Sequence, residues 1–250
     1  MFESERKGAV AVLRLAHGKA SAMDIELVEG LTSKLDELER SDAKAIVLTG
    51  SGRIFSAGVD LKRLIDGGVA YVDRFFPALS ALVLRLYRIE KPVIAAINGH
   101  AIAGGCVMAL ACDYRVMSSG GGRIGMPEFH VGVAFPASVI EVVRNALPSN
   151  RLSEVLMLGN SWKADEALQR GIVDEVVADE RVMERGLEVA GVMSGLPADA
   201  FALTKRQLRA PSLAFLAREG EALDREAFAI WRSETTQARI RDYVARTLSK

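Results

Sequence analysis

Four short, mostly apolar runs set the architecture of this chain: Gly8–Leu15 (GAVAVLRL), Ala43–Leu48 (AKAIVL), Val93–Ile97 (VIAAI) and Asp113–Met117 (DYRVM), the first two rich in Val, Ile and Leu. Their length and closing turn residues mark them as strands, and the segments between them carry a helical period instead. Leu27, Leu31, Leu35 and Leu38 recur at helical spacing between the first two runs. Tyr71–Arg88 reads as a second helix, closed by Lys91-Pro92 before the third strand and its Asn98-Gly99 turn. Gly104-Gly105 opens a short apolar helix over Cys106–Ala111. The order β-α-β-α-β favours an α/β layer fold with parallel strands.

Beyond about residue 150 the strand signal fades, with Ile172–Val177 the exception. Helices are predicted over Arg151–Leu158, Asp165–Arg170, Glu180–Met193, Asp199–Arg209 and Ser212–Thr247. A chain of 250 residues is long enough to bury one large core unaided. The expected organisation is therefore a core over residues 1–195 and a helical segment over 196–250.

Several classes are disfavoured. The longest apolar blocks, near Val93–Ile97 and Val107–Ala111, fall far short of the ~20 residues that a bilayer span needs. The first residues, Met1-Phe2-Glu3-Ser4-Glu5-Arg6, carry acids and lead into a strand pattern, unlike a secretory or transit peptide, so a cytoplasmic location is expected. The 32 basic and 32 acidic residues balance without runs of one sign, which argues against nucleic-acid and polybasic membrane partners. Cys106 and Cys112 lack metal-ligand spacing and read as buried thiols, so no metal is expected.

Three segments carry candidate chemistry. In Ile54–Lys62 (IFSAGVDLK), small residues leave the backbone at Ala57–Val59 open to close approach, ahead of a helix starting near Asp60. The preceding Gly50-Ser51-Gly52 is not a dinucleotide fingerprint, because Phe55 occupies the place of the third glycine. In Asn98–Cys106 (NGHAIAGGC), the glycine pair at a helix start exposes N–H groups at the positive end of the helix dipole, and serves equally for close helix packing. In Ile124–Pro136 (IGMPEFHVGVAFP), the lone carboxylate Glu128 either faces water or caps a turn, or is a proton carrier with a raised pKa among apolar neighbours. His130 reads as a packed or surface histidine.

Taken in order, these segments resemble the enoyl-CoA hydratase/isomerase (crotonase) superfamily. Phe55–Leu61 matches its F-x-A-G-x-D-L segment, Asn98–Gly105 its N-G-x-A-x-G-G-G segment with Ala103 at the first glycine, and Lys163–Val177 is similar to its A-x-E-A-x-x-x-G-L-V-D-x-V segment. The resemblance implies a crotonase-like (ClpP/crotonase) α/β fold, a ββα spiral core with a C-terminal helical region. It implies an acyl-CoA substrate whose thioester enolate is held by the N–H groups of Val59 and Gly104. Coenzyme A enters as part of the substrate, and no separate cofactor is expected. Ala20, Ala22, Met23, Ala57, Gly58, Asp60, Leu61, Lys62 and Val107 are implied around the substrate, with Lys62 near phosphate. Asn98 and Asp113 are expected to be structural, and Lys205 or a nearby base to reach CoA. Apolar residues of the C-terminal helices, including Phe215, Phe228 and Trp231, fit a homotrimer or dimer of trimers.

Two fixed N–H donors stabilise an enolate without reorganising, and losing one such donor costs about 10²–10³ in rate. The side chains then select the reaction. Family hydratases hold a water between two glutamates, and here the first of those positions is Val107. Glu128 alone remains, in a stretch that looks like the one in Δ3,Δ2-enoyl-CoA isomerases. The following Val131–Pro136 also lacks the hydratases' glycine-rich run. The resemblance thus implies an isomerase with Glu128 as proton shuttle, ahead of a hydratase or a non-catalytic acyl-CoA binder. Acyl chain length is expected to depend on residues 64–86 and the C-terminal helices.

Overall fold

The computed structural model describes residues 1–247; residues 248–250 of the expected C-terminal segment lie outside the described residues. In chain order the elements are β1 (Phe2–Lys7), β2 (Val10–Leu15), α1 (Ile25–Arg40), β3 (Ala45–Thr49), β4 (Ile54–Ser56), α2 (Leu61–Arg88), β5 (Val93–Ile97), β6 (His100–Ile102) and α3 (Gly104–Ala111). There follow β7 (Tyr114–Ser118), β8 (Arg123–Gly125), α4 (Glu128–Val131), α5 (Ala137–Ala146), α6 (Leu152–Met157), β9 (Ser161–Lys163), α7 (Ala164–Gln169) and β10 (Glu175–Val177). Helices α8 (Val182–Ser194), α9 (Ala198–Phe215), α10 (Glu221–Arg232) and α11 (Glu234–Thr247) complete the described chain.

A large sheet has the order β1-β2-β3-β5-β7-β10 and a small one the order β4-β6-β8-β9. The pairings are parallel except at two edges, β1 with β2 and β8 with β9. The chain repeats one unit three times: a large-sheet strand, a small-sheet strand, then a helix (β3-β4-α2, β5-β6-α3, β7-β8-α4). This is the expected ββα spiral.

The large sheet is covered on both faces at its inner strands, which is why β2, β3 and β5 read as apolar runs. Ala11, Leu13 and Leu15 of β2 and Val93, Ala95 and Ile97 of β5 point into the main core. The alternate residues Val10, Val12, Ile94 and Ala96 meet Val182, Val189 and Ala190 of α8 on the other side. On the main-core side, α1 buries Ile25, Leu27, Val28, Leu31, Leu35 and Leu38, and Asp24 caps its start by accepting from the Leu27 N–H at 2.8 Å.

The structure corrects several boundaries. The helix expected to start near Asp60 and the one expected over Tyr71–Arg88 are a single element, α2 from Leu61, joined across a break at Gly68 (φ 58°, ψ −151°) that only glycine accepts readily. The strand expected over Ile172–Val177 shortens to β10, since Ile172 and Val173 are buried in the turn after α7. The helix expected over Ser212–Thr247 is broken by a π turn at Leu216–Gly220 and by Ser233, whose extended backbone ends α10 and whose hydroxyl accepts from the Thr236 N–H at 3.2 Å. Helix α9 runs straight through Pro211. The expected boundary at 195/196 falls in the turn between α8 and α9, and the later helices pack back against α2, α4 and α5.

Asn98 and Asp113 are structural, as expected. The Asn98 side chain accepts from the Gly50 N–H at 2.9 Å and donates to the Gly52 carbonyl at 2.9 Å, clamping the β3–β4 turn to the β5–β6 turn. Asp113 accepts from the Val93 N–H at 2.8 Å and pairs with Lys205 at 2.5 Å and Arg209 at 2.7 Å. Lys205, expected to reach CoA, is instead buried; it also donates to the Lys91 carbonyl at 2.8 Å, and burial pushes its amine down to about 8. Trp231 is covered within the chain, and the exposed apolar residues of this region are Val192, Leu196, Leu203, Leu208, Leu223 and Ile230.

Candidate active site

Two backbone loops meet at the heart of the molecule. The β4–α2 loop lies beside residues 20–23: Ala57 donates to the Ala20 carbonyl at 3.0 Å, Met23 to Gly58 at 2.7 Å, and Asp60 to Met23 at 3.0 Å. This ladder pairs Met23 with Val59 in parallel register, so the Val59 N–H turns away from Met23. Gly58 adopts φ 80°, and a Cβ there would fall 2.6 Å from the Ile102 carbonyl and 3.1 Å from the Gly104 nitrogen. Glycine is therefore required for the two loops to touch.

The second loop ends at Ala103 and opens α3, whose residues from Gly105 to Ala111 are all buried. A Cβ on Gly105 would lie 2.4 Å from the Ser56 carbonyl, so glycine also lets α3 sit directly on β4. The Gly104 N–H belongs to the unbonded first turn of this helix, where the dipole is positive. Among the described residues no acceptor meets the Val59 or the Gly104 N–H. Ala103 itself holds φ 52° and ψ −122°, a conformation unfavourable for any residue with a Cβ.

Glu128 begins α4, directly after β8 and Pro127. Its Oε2 is buried and meets no hydrogen-bond partner among the described residues. Burial pushes its carboxyl up from 4.5 to about 8, against a smaller opposing effect of its own backbone N–H. A carboxyl so placed exchanges a proton near neutrality, which is the property a proton carrier needs. Cys106 lies close enough to feel the Glu128 charge, and burial raises its thiol well above the usual range; both cysteines are buried and free.

Ala20, Ala22, Ala57, Val59, Asp60, Leu61, Lys62, Gly104, Val107 and Glu128 all line one cavity of about 530 Å³. Met23 and Gly58 stand behind this wall, fixing the Val59 loop. The cavity's other carboxylate, Asp60, is committed to capping α2, its Oδ1 accepting from the Lys62 and Arg63 N–H groups at 3.0 and 3.1 Å. Val107, 2% exposed, presents an aliphatic side chain from α3. His100, Leu79, Val83, Phe135, Trp231 and Tyr243 also line it; the sequence reading reached Leu79, Val83, Trp231 and Tyr243 only as part of residues 64–86 and the C-terminal helices, and named none of the six as a site residue. His100 and Phe135 sit within quoted segments; the others reach the site from helices distant in sequence and carry no local signature. His130 is exposed and does not line the cavity.

A sequence profile of the enoyl-CoA hydratase/isomerase family matches residues 5–244. The chain is 31% identical to human mitochondrial enoyl-CoA delta isomerase 1 over 225 residues, covering 89% of this chain and 74% of that protein. It is 32% identical to a short-chain-enoyl-CoA hydratase of Clostridium acetobutylicum over 197 residues, covering 77% and 75% respectively. The crystal structure of human mitochondrial delta3-delta2-enoyl-CoA isomerase superposes with a TM-score of 0.92 at 30% identity, covering 98% of this chain and 97% of that one. With its three ββα turns and C-terminal helices, the molecule has the crotonase fold, and the chain belongs to the enoyl-CoA hydratase/isomerase family.

Proposed function

We propose that the protein is a Δ3,Δ2-enoyl-CoA isomerase in which Glu128 carries the proton and the N–H groups of Val59 and Gly104 hold the enolate oxygen. The observation that carries this reading is the pairing of one uncommitted carboxylate, Glu128, with aliphatic Val107. A hydratase of the two-acid kind needs a second acid to activate water, and the cavity's other carboxylate is engaged at the start of α2. A single carboxylate suffices for a 1,3-shift. Ionised Glu128 removes a C2 proton, the negative charge spreads into a dienolate facing the two N–H donors and the α3 dipole, and the carboxylic acid returns a proton at C4. Mass and charge balance without water or a cofactor.

The CoA portion is assigned to the backbone of residues 20–23 and 57–62, with exposed Lys62 beside its phosphates. The same proposal includes a homotrimer or dimer of trimers, supported by exposed Val192, Leu196, Leu203 and Leu208 on α8, α9 and the turn between them. A cytoplasmic location belongs to it as well. Light scattering and cell fractionation test these two parts.

The hydratase reading is favoured by one specific observation, the similarity to the Clostridium acetobutylicum hydratase. A paired assay separates the two. Purified protein is given a 3-enoyl-CoA and a 2-enoyl-CoA of matched length while the conjugated thioester absorbance is followed. Isomerisation makes absorbance appear from the first and leaves the second unchanged. Loss of absorbance from the 2-enoyl substrate refutes the single-acid reading.

A further inference from the structure

The cavity has two unlike ends. Asp60, Lys62 and His100 line it where residues are partly or fully open to solvent, which marks the mouth. Leu79, Val83, Val139 and Trp231, each no more than 5% exposed, line the closed end. A CoA thioester enters with its polar portion at the mouth, so the tail of the acyl group points toward those four residues.

Trp231 is the largest of them and is held on several sides. Its indole N–H donates to the Ala134 carbonyl at 2.7 Å, and its own carbonyl accepts from Gln237 at 2.9 Å. Its ring lies edge-on to Phe76 at 5.5 Å between centroids and 6.4 Å from Phe75, both on α2. The partner carbonyl belongs to the Val133–Pro136 stretch, which itself lines the cavity. This ring is fixed by hydrogen bonding and packing, and it does not swing aside for a longer ligand without breaking both.

We propose that Trp231 is the floor of the acyl pocket and sets the longest acyl chain the enzyme accepts, the distal part of that chain being plain hydrocarbon. The one side-chain donor among the four residues, the indole N–H, is already taken by Ala134, so a hydroxyl or carboxyl on the distal carbons would be desolvated without a partner. The inference rests on the acyl-CoA reading above, and is independent of whether the double bond is shifted or hydrated.

The test is calorimetric binding of saturated acyl-CoAs of graded chain length, which needs no turnover. In the parent, affinity climbs about fourfold for each methylene buried and then stops climbing at a defined length. Trp231→Ala moves that break point to longer chains, Trp231→Phe moves it less far, and Val83→Leu, which adds bulk on the opposing α2 wall, moves it to shorter ones. Circular dichroism melting shows which variants fold; if Trp231→Ala does not, Trp231→Phe and Val83→Leu carry the comparison. An unchanged break point in the folded variants overturns the inference, as does a parent whose affinity ignores chain length. An intact break point without turnover of 3-enoyl-CoA sinks only the isomerase reading.

Discussion

Replacing Glu128 by Gln should change how the stability of the fold depends on pH, apart from any effect on catalysis. The two side chains have nearly the same shape, and the amide has no charge to gain. In the unfolded chain the Glu128 carboxyl ionises near 4.5, whereas in the folded protein burial holds the proton until about 8. Between those values the folded state binds the extra proton, so stability is fully present below pH 4.5 and declines as pH rises to about 8. The gap from 4.5 to about 8 corresponds to at most about 5 kcal/mol, at about 1.4 kcal/mol for each tenfold in proton affinity. Glu128→Gln removes this slope. Denaturant melts of parent and variant every half unit from pH 5 to pH 9, in one buffer series, measure it, and the variant should gain on the parent steadily up to about pH 8 and then run level. A constant offset arises from burying the amide and does not matter, since only the slope is diagnostic. Parallel curves would show that Glu128 ionises normally in the folded protein, and the proton-carrier argument would fail with them.

The same buried carboxyl fixes the shape of the rate profile: kcat/KM for a 3-enoyl-CoA should rise with pH to a plateau with its midpoint near 8, and Glu128→Gln should be inactive at every pH. Ala103→Gly should stabilise the fold, because relief of the Ala103 backbone, about 1–3 kcal/mol, exceeds the roughly 0.4–1 kcal/mol lost to a freer unfolded chain. Its melting temperature should rise by roughly 2–4 °C for each kcal/mol gained, and a fall would refute the strain. Gly58→Ala should do the reverse, destabilising by at least about 2 kcal/mol in denaturant melts, because its methyl meets the Ile102 carbonyl at 2.6 Å in a backbone of φ 80°.

The inner strands β2, β3 and β5 of the large sheet were legible because they are buried on both faces and read as apolar runs. The small sheet was not legible. Its strands are three residues long, too short to show a period, and contain His100, Arg123, Ser161 and Gly125; pairing with strands distant in sequence makes them strands. Strand β1 was obscured by its charges, Glu3, Glu5, Arg6 and Lys7, which suit an edge strand facing water. The start of α2 near Asp60 was legible, and its continuity with the helix read from Tyr71 was hidden by Gly67 and Gly68. At the site, the motifs located the loops and Glu128. The far wall was legible only as segments, residues 64–86 and the C-terminal helices; its individual residues were out of reach, since Trp231 lies more than a hundred residues beyond the carboxylate and joins it only across the folded cavity.

Each turn of the spiral delivers one contribution to the same chamber: Val59 after the first small-sheet strand, Gly104 after the second, Glu128 after the third. The helical rise of the architecture thus acts as an addressing scheme; in the function proposed above, it gives electrophile support to two storeys and proton traffic to the next. On that reading, rewriting side chains such as Val107 or Glu128 would change which bond is remade, while the backbone donors of the first two storeys stay in place.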